Sequence, residues 1–281
     1  MRLRSRTSDI PAVMRAVHQT RDDEPKILLD PIAPKLIEIT GADADWLAPL
    51  LEHPFATQWR AGFLIRSRYA EDCLGEAVAR GLAQYLILGA GLDTFAYRQP
   101  AWAHALRIFE IDHPATQSFK RERLAKSGIV PPSNLIFVPV DFETTSLSQA
   151  LDASGFAFDR PAFCSWLGVT QYLTNPAIEA TLAFMQTLPR KSEIVLSFIL
   201  PQDALDGIEA HAVATASAKA AEVGEPWLSR FQPADLASQL LRMGFSEVVH
   251  LTPDQAHERY LKGRRDGLAA RRGEQLMRAV V

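Results

Sequence analysis

One stretch limits the possible folds more than any other: Tyr85-Leu-Ile-Leu-Gly89-Ala-Gly91-Leu-Asp93-Thr94. A strand-length apolar run passes directly into two glycines. Glycine lets the backbone turn tightly and approach a ligand closely. A dinucleotide fingerprint would place a third glycine three residues after Gly91, to pack the helix on the strand and receive a pyrophosphate. That position is Thr94. The turn therefore suits a nucleoside better than a pyrophosphate, although a tight strand-to-helix connection alone would also explain two glycines.

From about residue 65 onward, strand-like runs alternate with helix-like segments. Strands are predicted at Gln84–Leu88, Leu106–Ile111, Leu135–Pro139, Ala162–Leu167 and Glu193–Ile199. Helices are predicted near Tyr69–Ala79, Thr116–Lys126, Ser146–Ser154 and Pro176–Thr187. Such alternation means βαβ units, hence a parallel sheet with helices on both faces: a doubly wound α/β fold in one domain over 1–281. A helix near Pro233–Met243 is stopped by Gly244, and β-prone runs at Ser246–Leu251 and Glu274–Val281 suggest a closing antiparallel pair. Two segments lie outside the alternation. Residues 1–64 read as a helical cover broken at Asp30-Pro31 and His53-Pro54, and 202–228 as an Ala-rich helical lid. In an open α/β sheet the ligand sits beyond the carboxyl ends of the strands, where both additions would cover it.

Acids follow three successive predicted strands. Asp93 follows the glycine turn, Asp112 ends Arg107-Ile-Phe-Glu-Ile-Asp112, and Asp141 precedes Phe142. A carboxylate at Asp112, 21 residues after Gly91 (112 − 91), can accept from both hydroxyls of a ribose. Glu110 shares its strand face and competes for that role. Asp141 can accept from an adenine amino group while the following amide donates to the ring. Together these acids point to an adenosine without phosphates.

Composition narrows the partners. A net charge of -3 supplies no basic field for nucleic acid, and the longest apolar runs are too short to span a bilayer. The basic N-terminus (Arg2, Arg4, Arg6) is followed by no apolar signal core. With two cysteines, Cys73 and Cys164, no disulfide framework is expected, and a reducing cytoplasm fits. The seven histidines show no zinc-site spacing and no acidic cluster suggests magnesium, so no metal is expected.

The chain resembles the leucine carboxyl methyltransferase family, in its bacterial and mycobacterial branch of O-methyltransferases. The likeness runs through Asp30-Pro-Ile-Ala33, Arg66-Ser-Arg68-Tyr69, Leu88-Gly-Ala-Gly-Leu-Asp-Thr94 with Tyr97-Arg98, and Phe109-Glu-Ile-Asp-His-Pro114. It continues in Val140-Asp-Phe142, Trp166-Leu-Gly-Val-Thr-Gln-Tyr-Leu173 and Tyr260-Leu-Lys-Gly-Arg264. This resemblance implies a class I methyltransferase (Rossmann-like) sheet of seven strands, the last antiparallel, and S-adenosyl-L-methionine as methyl donor. It implies that Gly89, Ala90 and Gly91 pass under the methionine part, with Asp93 beside them. It likewise implies that Asp112 holds the ribose, and that Asp141 and Phe142 meet the adenine. An arginine pairs with the cofactor carboxylate, Arg68 by helix register and Arg66 second. Many relatives carry a glutamate before Gly168, where this chain has Leu167 beside the donor.

Methyl transfer to a carboxylate needs no general base, whereas a hydroxyl acceptor would want one. His113, Tyr172 and Tyr260 are the candidates. The charged run Tyr260 to Asp266 reads either as a solvated loop or as recognition of an anionic small-molecule acceptor. Two rival readings stay open: a nicotinamide-dependent oxidoreductase, and a non-catalytic adenosine-binding protein.

Overall fold

The protein is described here by a computed structural model over residues 7–37 and 48–281. Arg2, Arg4, Arg6 and the part of the expected cover at 38–47 lie outside the described residues. Among those described, seven strands form one sheet: β1 (Gln84–Leu88), β2 (Arg107–Asp112), β3 (Leu135–Pro139), β4 (Phe163–Trp166), β5 (Glu193–Ile199), β6 (Glu247–Leu251) and β7 (Glu274–Val280). Their order is β3-β2-β1-β4-β5-β7-β6, with β7 antiparallel to both neighbours and the first five strands parallel. The sheet reverses its winding between β1 and β4, the switch point at which open α/β sheets bind ligands.

Strict alternation along each buried strand sends its side chains to two separate cores. Leu86, Leu88, Phe109, Ile111 and Trp166 pack on one face, against Ile178, Leu182 and Leu240. Tyr85, Ile87, Ile108, Phe163 and Val195 pack on the other, against Leu64, Leu74 and Ala77. With both faces covered, β1 and β5 are buried throughout, as their predominantly apolar sequence suits.

The helices are α1 (Asp9–Arg21), α2 (Ala33–Leu36), α3 (Ala56–Ala79), α4 (Pro114–Lys126), α5 (Leu147–Asp152), α6 (Asn175–Gln186), α7 (Gly207–Glu222), α8 (Pro233–Met243) and α9 (Pro253–Tyr260). Gly244 stops α8 in the left-handed conformation at φ 106°. Two elements differ from the sequence expectation. Helix α3 begins thirteen residues before Tyr69 (69 − 56), because it is buried on several sides and shows little apolar periodicity. The run read as a charged loop from Tyr260 contains the end of α9, started by a Thr252–Gln255 capping box.

Candidate functional site

A cavity of about 540 Å³ opens beyond the carboxyl ends of β1 and β4. Its floor is the glycine turn. Gly89 and Gly91 adopt φ values of +65° and +47°, which favour glycine, and the amides of Gly89 and Ala90 both donate to the Ile111 carbonyl. A Cβ on Gly89 would lie 2.3 Å from Val169 Cγ2, and one on Gly91 3.2 Å from Ser8 Cβ. Val169 and Ser8 thus pack onto the turn too closely for a side chain at either glycine.

Asp112 sits beside that turn at the end of β2. One carboxylate oxygen accepts from the Gly91 amide at 2.5 Å, the other from the His113 amide at 2.6 Å. Burial pushes its carboxyl above the ordinary range, opposed by those two amides and by Lys120. Each oxygen keeps a further lone pair, and the residue lines the cavity. Glu110, its rival in the sequence, does not reach the cavity. It is fully buried beneath, with Oε2 2.7 Å from Lys120 Nζ.

Thr94 closes the place of a third glycine. Its buried hydroxyl donates to Asp30 Oδ2 at 2.6 Å, and Asp30 also accepts from Arg15 Nε at 2.9 Å. Only a three-residue turn of 3₁₀ helix, Phe95–Tyr97, follows. The floor therefore lacks the helix N-terminus that would face a pyrophosphate.

Ala90, Asp93, Asp141, Phe142, Leu167 and Tyr172 all line the cavity. Asp93 turns its Oδ1 to the Phe95 amide at 2.8 Å, which fixes the loop. His113 also lines it, but caps α4: Nδ1 accepts from the Ala115 amide at 3.2 Å. A neutral ring so engaged carries its proton on Nε2 and has no lone pair left for a base. Burial pushes the Tyr172 hydroxyl above its usual range, which favours the protonated phenol.

Two of the expected site residues are not among those lining the cavity. Arg68 points away from the cavity, half-exposed, donating to Asp72 Oδ1 at 2.7 Å and to the Ile27 carbonyl. Arg66, two residues earlier on α3, lies on the opposite side of the helix and lines the cavity. Tyr260 also lies outside the cavity lining, its hydroxyl donating to Asp72 Oδ2 at 2.9 Å.

Of the far wall, sequence reasoning named Arg66 and missed Arg271 and Glu274. Arg66 Nη1 donates to Glu274 Oε1 at 2.7 Å, and Arg271 Nη1 approaches Glu274 Oε2 at 3.5 Å. The side chains of all three are at most 10% exposed, and all three residues line the cavity. Although burial opposes ionisation of Glu274, the two guanidinium groups hold its carboxyl below the ordinary range. Two cations thus face one anion. The antiparallel course of β7 explains the location, since its first residue, Glu274, pairs with the last residue of β5, Ile199, at the ligand edge. Arg15 was missed as well. Its Nη2 donates to the Leu92 carbonyl at 2.6 Å on the glycine turn.

Both additions to the alternation contribute walls. Thr7, Ser8 and Arg15 come from the lead-in, with Trp59 and Phe63 from α3. Ala216, Lys219 and Ala220 come from α7, and Trp227 and Leu228 from the chain after it. Among the described residues no helix is long and apolar enough to cross a membrane, and no group of three or more His, Cys, Asp or Glu could hold a metal ion.

A model of the leucine carboxyl methyltransferase family matches residues 10–186. A Bacillus subtilis protein named as a candidate S-adenosyl-L-methionine-dependent methyltransferase is 32% identical, covering 95% of this chain and 94% of that one. A similarly named protein of Mycolicibacterium smegmatis is 32% identical over 62% of each chain. Among solved structures, a DUF574-family protein from Streptomyces avermitilis superposes with a TM-score of 0.62 at 14% identity, over 99% of this chain and 97% of that one. A candidate methyltransferase from Thermobifida fusca gives 0.59 at 16%, over 96% and 94%. These two likenesses bear on the fold, which they share.

Proposed function

The chain belongs to the leucine carboxyl methyltransferase family, and from that premise we propose that it methylates an oxyanion, foremost a carboxylate, on a small apolar acceptor with S-adenosyl-L-methionine as donor. The observation that carries this reading is the division of the cavity. One end has a close-approach glycine turn beside a buried carboxylate, and the other has two buried arginines sharing one glutamate.

The floor fits a nucleoside with an amino-acid tail and no phosphate. Gly89 and Gly91 line the cavity, while Thr94 stands where a dinucleotide fingerprint has its third glycine and is tied to Asp30. That disfavours a nicotinamide cofactor. In this reading Asp112 accepts from the two ribose hydroxyls. Asp141 and the Phe142 backbone meet the adenine, and Arg66 pairs with the methionine carboxylate, a match of planar fork to planar anion. When bound, the cofactor supplies an electrophilic methyl on a sulfonium and leaves as the neutral thioether.

What the protein adds is alignment and exclusion of water. The His113 ring is committed to its helix cap and Tyr172 holds its proton, so neither is placed as a strong base. An acceptor that arrives already ionised needs none. Among the described residues the ion pair of Arg271 is with Glu274, at 3.5 Å, and Arg66 engages the same carboxylate at 2.7 Å, so the Arg271 guanidinium is placed to receive an anionic acceptor. Trp59, Phe63 and Leu228 supply apolar walls for the rest of that molecule.

The test is methyl transfer from radiolabelled S-adenosylmethionine to a series of apolar carboxylic acids and their matched alcohols. Label in the acids, as base-labile esters, is expected. Tight NAD binding without S-adenosylhomocysteine binding would remove the assignment. Cofactor binding with no transfer to any acid or alcohol would favour a non-catalytic nucleoside-binding protein.

A further inference from the structure

Below the ribose end of the cavity lies a second layer of charge. Glu110 and Asp112 lie two residues apart on one face of β2, and Lys120 on α4 reaches Glu110 on that face. Lys120 and Glu110 are 1% and 0% exposed, with Nζ 2.7 Å from Oε2. The Tyr97 hydroxyl donates to Glu110 Oε2 at 3.4 Å, and the Lys120 ammonium stands 5.3 Å from the centre of the Tyr97 ring. The Gln117 side chain donates to the Glu110 carbonyl at 3.0 Å, fixing α4 against the strand.

A fully buried pair is a poor source of stability, because both ions lose their hydration. Its placement suggests another task. Asp112 must be an anion to grip two hydroxyls, yet its hydrogen bonds come from two neutral amides. Burial works against ionisation there. Lys120 and the His113 ring are the side chains that oppose that effect, and the ring is committed to a helix cap.

We infer that Lys120 is a positioning residue for the ribose acid: its ammonium, anchored by Glu110, keeps Asp112 in the anionic form that holds the cofactor. The inference rests on the assignment of the ribose to Asp112. Glu110 makes the arrangement adjustable. Burial raises its carboxyl to about 7 in spite of Lys120, with Asp93 from the glycine turn and Asp112 on its own strand adding to the rise. Tyr97 faces it from the turn after β1, and Arg121 of α4 acts on Tyr97. As the pH falls through neutrality Glu110 takes a proton, and the whole charge of Lys120 then acts on Asp112. The grip is buffered against mild acid.

The experiment is calorimetry of S-adenosylhomocysteine binding from pH 8.5 to 5.5. Wild type and Glu110→Gln are expected to change less than about threefold across that range. Lys120→Met is expected to lose about tenfold between the ends, as the Asp112 carboxyl rises further without the ammonium beside it. Because Lys120→Met leaves a lone buried carboxylate that threatens folding, Lys120→Met/Glu110→Gln is the second variant. It removes both charges, should recover thermal stability and should still lose affinity toward acid. If the double variant binds with a flat profile, the pair only packs and the inference is overturned. Asp112→Asn separates the premise from the inference: if it leaves the dissociation constant unchanged, the ribose assignment fails, whatever Lys120 does.

Discussion

Glu225, in the chain after α7, accepts a hydrogen bond from the backbone N–H of Thr7 at 3.0 Å, joining two segments 218 residues apart in sequence. The contact closes a ring over the cavity, since both residues line it. The Phe55 ring meets His211 of α7 edge to face at 5.9 Å, a second joint between lead-in and insertion. The insertion is also tied to the floor, where Leu228 N donates to the Gln171 carbonyl at 2.6 Å.

Covers of this kind belong to the less stable parts of a fold and gain protection when a ligand orders them. Residues 7–21 and 207–228 are therefore expected to exchange amide hydrogen more slowly with S-adenosylhomocysteine present. Glu225→Gln should weaken that protection and speed ligand release. Equal exchange in the two states would show that the segments are a fixed wall.

Asp112→Asn should weaken S-adenosylhomocysteine binding by roughly ten- to a hundredfold, or about 1.5–3 kcal/mol for a lost hydrogen bond to a charged group. The amide keeps one acceptor oxygen for the Gly91 or His113 amide, so the fold should survive. Calorimetry beside a thermal melt reads both.

The two arginines of α3 give a paired comparison. Arg66→Gln is expected to reduce affinity at least about tenfold, as a bidentate charged contact is lost. It also leaves Glu274 facing Arg271 alone. Arg68→Gln removes an exposed pair with Asp72 and should change the dissociation constant less than twofold. Equal losses in the two variants would refute the placement.

These residues also mark how far the sequence could be read. The strands were legible because they are short, mostly apolar and β-prone, and the acids at their ends because a parallel sheet brings the carboxyl ends to one edge. The observed strands begin within one residue of the predicted starts, as at Arg107 against Leu106. Helix register favoured Arg68 over Arg66, whereas the cavity is lined by Arg66; α3 is buried around much of its circumference, so no apolar stripe marked the facing side. Arg271 and Glu274 stood in view as the start of the last strand. Their approach to the cavity follows from the antiparallel course already predicted, which puts that start beside the end of β5. Arg15 gave no local signal, because its partners Asp30 and Leu92 are 15 and 77 residues away.

Gly89→Ala tests the turn. The added Cβ would stand 2.3 Å from Val169 Cγ2, at a φ of +65° that costs an L residue about 1–2 kcal/mol by itself. The variant should melt well below wild type. Gly89→Ala/Val169→Ala should recover the steric part and retain the backbone cost. Full recovery in the double variant would mean that the left-handed conformation is not required.

Asp30 links the cover to the turn and sets an acid limit on stability. It is completely buried, accepts from Arg15 Nε at 2.9 Å and from the Thr94 hydroxyl, and lies 3.7 Å from Arg98. Burial alone would raise its carboxyl, but Arg15 and Arg98 hold it below the ordinary range. A carboxyl depressed in the folded state binds its proton more readily when unfolded. Its contribution is therefore complete above the unfolded value of about 3.9, and is lost as pH falls through the lower folded value. Asp30→Asn should destabilise the protein at pH 7, where it leaves buried Arg15 without its anion while Arg98 keeps Glu71. Denaturant midpoints for the two proteins should then converge on acidification below about pH 4, since protonation removes the same charge from wild type. A gap that stays constant from pH 7 to 3 would mean that Asp30 contributes through its hydrogen bonds and packing, with no share from its charge.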